Sequence, residues 1–145
     1  PLPRASHMLE AWKNPVERYA MTSSTDAKTQ RRYRLSEVAR SGETATRTPF
    51  FTTDNTGGVV WVVKPGQEVM AHDHSASDDI WICLQGSGVF FPEPCEELEI
   101  QAGDVMVSRP GQCHGMRNTG DEDFIFVSVI SPAPSDFNPI DCDCD

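Results

Sequence analysis

The chain has 145 residues, 38% apolar and 8% aromatic, enough to fill one core and too many for wholesale disorder. No apolar run approaches the roughly 20 residues that span a bilayer as a helix, which argues against a membrane partner. The net charge of −10 is uneven, with 8 Lys and Arg against 4 Asp and Glu in residues 1–40 and 4 against 18 in residues 41–145, an acidic excess that repels phosphate backbones and argues against nucleic acid.

In chain order, the opening PLPRASHM resembles the remnant of a cleavable purification tag, so His7 stays outside the functional argument and Met8 and Met21 are alternative starts. Residues 1–21 read as that remnant and a flexible arm, with one helical turn from Glu10 to Tyr19, and residues 22–54 as an N-terminal arm with the first strands. Tyr33 and Leu35 alternate with Arg32 and Arg34 and, with Val38, predict a short strand; Phe50-Phe51 begins another. Residues 55–132 form the predicted core. Val59–Val63, Ile80–Leu84, Val89–Phe91, Leu98–Ile100, Val105–Val107 and Phe124–Ile130 are short β-rich runs separated by Gly, Pro or Asp clusters. That spacing predicts an all-β sandwich or barrel. Residues 133–145 read as an acidic tail laid over the surface or left disordered.

Five cysteines, two of them in the terminal DCDCD, do not resemble a disulfide scaffold, so a reduced, cytoplasmic protein is expected. Cys142 and Cys144 can be read as soft-metal ligands or as part of a frayed tail.

The chemistry concentrates on three histidines. His72 and His74, two residues apart, share one face of a strand. Asp79 precedes the run Ile80–Leu84 and shares its face with Trp81 and Cys83, while His114 lies beyond a Pro-Gly turn with Met116 on its face. Two histidines at i, i+2, a carboxylate and a third histidine can close on one ion. Imidazole and carboxylate suit Fe, Mn, Ni, Cu or Zn and leave coordination positions open for substrate or O₂. Trp81, Cys83 and Met116 then line a substrate pocket, or simply fill the barrel core. Neither Cys83 nor Cys113 has a spare histidine to activate it, and no phosphate-binding glycine motif is present. No residue is assigned a catalytic role.

These residues carry a family resemblance. Residues 66–86, GQEVMAHDHSASDDIWICLQG, resemble the first cupin motif through Gly66, His72, His74, an acidic Asp79 and Gly86. Residues 103–118, GDVMVSRPGQCHGMRN, resemble the second through Gly103, Gly111, His114 and Asn118. The resemblance implies a small single-domain cupin: an antiparallel jelly roll, or double-stranded β-helix, holding one divalent transition metal per chain, iron favoured. Two positions depart from the pattern. Asp79 stands where Glu is usual and is one methylene shorter, so the ligand set is either three histidines and Asp79 or three histidines and water. Arg109 replaces the usual proline and is read as a rim or substrate-facing cation, or as a plain solvated residue.

Three functions follow: an Fe(II)-type oxygenase acting on a small apolar substrate, which leads; a metal Lewis-acid isomerase, cyclase or lyase; and a non-catalytic binding module. After residue 47 the cations are Lys64, Arg109 and Arg117, and alternation turns Arg117 away from His114. That leaves Arg109 or the N-terminal arm to clamp a carboxylate, which weakens the case for a sugar acid. The basic arm and acidic body predict a homodimer.

Overall fold

The computed structural model describes residues 30–142. The chain divides into two compact units, 1–39 and 40–145. In the described part of the first lies α1 (Leu35–Val38), where a strand was expected. The Arg34 carbonyl accepts from the N–H groups of Glu37 and Val38, and the Leu35 carbonyl from that of Ala39. Leu35 and Val38 stand at i, i+3, so the three apolar residues were too few to separate a period of 2 from one of 3.6. The expected turn at Glu10–Tyr19 and most of the expected arm lie outside the described residues.

The second unit is almost wholly antiparallel sheet. Its strands are β1 (Thr46–Thr52), β2 (Gly57–Val63), β3 (Glu68–Asp73), β4 (Asp78–Gln85), β5 (Ser87–Phe90), β6 (Leu98–Gln101), β7 (Val105–Ser108), β8 (His114–Arg117), β9 (Phe124–Ser131) and β10 (Asn138–Pro139). They form two five-stranded sheets, ordered β1-β2-β9-β4-β7 and β10-β3-β8-β5-β6. This is the expected jelly roll. Pro49 is accommodated because β1 is an edge strand, where a missing N–H costs no ladder bond.

Register explains why one end of the barrel is packed solid and the other carries polar groups. In the first sheet, β9 offers Phe124, Phe126, Ser128 and Ile130 to the interior, opposite Val63, Trp61 and Val59 of β2. On β4, Cys83 faces Phe126, Trp81 faces Ser128 and Asp79 faces Ile130. In the second sheet Val69 pairs with Met116, and His72 with His114. The core joins Val63, Val69, Trp81, Cys83, Phe90, Ile100, Met116, Phe124 and Phe126. Residues at the other end of the same strands build the site.

Two local devices fix this end. The pairing of β3 with β8 shifts register between Val69 and His72, so Val69, Ala71 and His72 are all buried on a strand that strict alternation would turn in and out. Gly115 permits the close approach there: a Cβ would lie 2.8 Å from the Val69 carbonyl oxygen and 2.9 Å from Ala71 Cα. At Gly111, φ is 77° and the N–H donates to the His74 carbonyl at 2.8 Å, closing the turn before His114. Asn118 is buried and donates to the carbonyls of Val63 and Glu122 at 2.7 and 2.8 Å, which tethers the end of β8.

Residues 132–140, expected to lie on the surface or be disordered, take a defined path. Asn138 and Pro139 pair with Asp73 and His72, and the Ile140 N–H donates to the Ala71 carbonyl at 2.9 Å. Cys83, Cys113 and Cys142 are free thiols, whereas Cys95 is disulfide-bonded, against the expectation of a fully reduced chain. Cys142 is exposed, and Cys144 lies outside the described residues.

Candidate metal centre

His72, His74, Asp79 and His114 are all buried, and their ligand atoms lie within 4.8 Å of one another. Each imidazole is oriented by a backbone carbonyl. His72 Nδ1 donates to Met70 at 2.8 Å, His74 Nδ1 to Asp136 at 2.6 Å and His114 Nδ1 to Gln112 at 2.9 Å. With the protons on Nδ1, each Nε2 presents a lone pair. His74 Nε2 and His114 Nε2 are buried without a hydrogen-bond partner. They lie 3.5 and 3.3 Å from Asp79 Oδ2, itself an acceptor. Acceptors turned toward one another around a buried point call for a cation between them, and three Nε2 atoms with one carboxylate form a donor set of divalent transition metals.

Asp79 is held from behind. Ser128 Oγ donates to its Oδ1 at 2.5 Å, and Trp81 Nε1 to its Oδ2 at 3.0 Å. These bonds aim Oδ2 at the histidines, the geometry that the ligand set including Asp79 requires. Burial opposes ionisation, but the close imidazoles of His114 and His74 and the bonds from Ser128 and Trp81 hold the Asp79 carboxyl well below the usual carboxylate range. Burial, together with the neighbouring His114, pushes His72 down to about 4. For His74, burial is outweighed by Asp79 and the Asp136 carbonyl, so its pKa is raised.

A cavity of about 340 Å³ opens beside these residues, bounded by His72, His74, Asp79 and Trp81 and also by Arg47, Trp61, Ser128, Ile130, Ser135, Asp136 and Phe137. Of the four residues expected to line a pocket, Trp81 does so. Cys83 and Met116 sit in the apolar core, the alternative reading given to them. Burial pushes the Cys83 thiol up to about 12, which keeps it protonated and inert. Arg109 is exposed on the turn before Gln112 and does not reach the cavity. Arg117 pairs with Glu68 and Glu97. The cation that does line the cavity is Arg47, on β1 opposite Trp61.

Sequence reasoning missed Arg47, Trp61, Ser128, Asp136 and Phe137. Ser128 had a readable signal, since it interrupts an apolar strand on the Phe124 and Phe126 face. Asp136 and Phe137 had none, because the path of a terminal segment is not written in its composition. Phe137 stacks on the His72 ring, with centroids 4.4 Å apart and planes at 26°.

Comparison with known proteins agrees with this architecture. The family model of the cupin domain matches residues 59–130. A conserved protein with a double-stranded β-helix domain from Klebsiella pneumoniae is 33% identical, with a TM-score of 0.74 over 77% of this chain and 98% of its own. A protein described as a predicted oxalate decarboxylase from Thermotoga maritima has a TM-score of 0.56 at 26% identity, over 68% of this chain and 96% of its own. An oxalate-binding protein of the same organism is 38% identical over 68 residues, 47% of this chain; the match spans 55% of that relative's length. The chain belongs to the cupin family.

Proposed function

We propose that the protein is a metal-dependent cupin enzyme holding one divalent transition ion on His72, His74, His114 and Asp79, and that it acts on a small organic molecule in the adjoining cavity. The observation that carries this reading is the set of carbonyl-locked imidazoles, two with buried, unpartnered Nε2 atoms beside a carboxylate. Iron is the favoured ion and oxygenase chemistry the favoured reaction, because such a donor set on one side of an ion leaves positions for substrate and O₂ on the other. When bound, the ion supplies Lewis acidity and, if it is iron, redox chemistry. The chain's own residues fix the imidazole tautomers, aim the carboxylate and wall the cavity with Trp61, Trp81, Ile130 and Phe137.

A second reading, Lewis-acid isomerase, cyclase or lyase chemistry, is favoured by Arg47 at the cavity and by the oxalate-named relatives. Elemental analysis against protein concentration, followed by oxygen-electrode screens, separates the two. About one iron per chain with substrate-dependent oxygen uptake supports the oxygenase. Turnover without oxygen uptake, on Zn, Mn or Ni, supports the second reading. Failure to bind any of these ions after reconstitution overturns both. We also propose that the chain works as a homodimer, a reading supported by its division into a basic arm and an acidic body.

A further inference from the structure

The two carboxylates that line the cavity both have partners, and its cation does not. Asp79 is turned toward the histidines and held by bonds from Ser128 and Trp81. Asp136 is engaged as well: its Oδ1 accepts from the Ser75 N–H at 2.8 Å and its Oδ2 from the Asn138 amide at 3.3 Å. Arg47 is the one cationic side chain lining the cavity among the described residues. Unlike Arg117, which holds Glu68 and Glu97, its guanidinium has no hydrogen bond or ion pair among them. Its place is set by register. Arg47 lies directly opposite Trp61, whose side chain faces inward, so both belong to the same face of the first sheet. Trp61 is itself stacked on buried Phe126, with centroids 6.0 Å apart and planes at 12°, which gives that wall a fixed aromatic surface.

An unpaired guanidinium at the edge of a largely apolar cavity presents a planar fork of donors that matches a carboxylate. We propose that Arg47 recognises the carboxylate of the substrate, and that the substrate class is a small monocarboxylate with a flat, apolar body, taken up against Trp61, Ile130 and Phe137 with its other end toward the histidines. The proposal rests on the functional reading above for the direction in which the substrate lies. It assigns Arg47, and not Arg109, the task of choosing acids over neutral compounds.

The test uses the full chain loaded with zinc, and benzoate against benzamide as probes of equal shape and different charge, by calorimetric titration. Metal content is determined first. Benzoate is expected to bind the wild type at least tenfold more tightly than benzamide. Arg47→Gln should remove that preference by weakening benzoate about tenfold or more while leaving benzamide and metal content unchanged; Arg47→Lys should retain part of it. The proposal is overturned if benzoate binds no better than benzamide or does not bind. It is equally overturned if R47Q holds benzoate as tightly as the wild type, which would place the carboxylate on the ion. Should the chain take up no zinc yet bind benzoate in an Arg47-dependent way, the carboxylate site stands and the metal reading falls.

Discussion

Asp79 Oδ2 accepts from Trp81 and faces two imidazoles, while Oδ1 is held by the Ser128 hydroxyl, so one short side chain is fixed from two directions. Partners behind a metal ligand typically contribute 10–100-fold in affinity. Ser128→Ala is therefore expected to weaken metal binding about tenfold, and Asp79→Ala more strongly, in competition titrations with a chelating dye. Unchanged affinity in Asp79→Ala would leave a site of three histidines and water. His72 governs a pH effect in the metal-free protein. Its folded pKa, about 4, lies below the 6.5 of an ordinary imidazole, so the unfolded chain binds the extra proton in that window and stability falls as pH drops from 6.5 toward 4. The raised pKa of His74 acts in the opposite sense. Melting curves of wild type and His72→Gln should therefore diverge across this window and run parallel above pH 7; parallel curves throughout would mean that His72 is not kept neutral. The three histidines and Asp79 were legible because few histidines exist and their spacing matches strand geometry. Arg47 was not, because its role depends on a strand pairing and it lies far from the histidines in the chain.

Most strands of the barrel were readable from β-rich runs ending at Gly or Pro, yet two elements that shape the site were not. One is β3, whose register shift puts Val69 and His72 in the same interior although they differ by an odd number of positions. No alternation rule contains such a shift. The other is the segment through β10, which supplies the Asp136 carbonyl to His74 and the Phe137 ring to His72. Its sequence carries no periodic pattern, and its two-residue pairing depends on β3 being in place. Removing residues 135–145 is expected to weaken metal binding about 10–100-fold through loss of the His74 partner. The barrel should stay folded, because none of the segment's described residues belongs to the main core. Metal titration and far-ultraviolet circular dichroism of the shortened chain would check both halves, and full affinity would remove Asp136 from any orienting role.

At the scale of the whole chain, charge and apolar surface concern association more than folding. The outer side of β4 and β7 leaves Ile82, Val105 and Val107 from 40 to 56% exposed, next to one another by register. A second copy can cover such a stripe, and the proposed homodimer predicts light scattering at twice the chain's mass at micromolar concentration. Val105→Glu should shift that species toward the monomer with little change in secondary structure. A monomer in the unmodified protein would refute the dimer. Fold class was legible at this scale from composition and turn spacing alone, whereas the partner surface is a property of two strands side by side.

The bond from His74 to the Asp136 carbonyl joins residues 62 positions apart, and it has a consequence for the order of events in the cell. Synthesis delivers all four candidate ligands before the carbonyl that orients one of them. A chain ending at residue 130 would contain the sequence of β1 to β8, most of β9 and all three histidines of the site, but not the carbonyl that orients His74. On the proposed reading, metal capture at full affinity belongs to the interval after the ribosome has released this stretch, when the finished protein draws on whichever ions its surroundings supply.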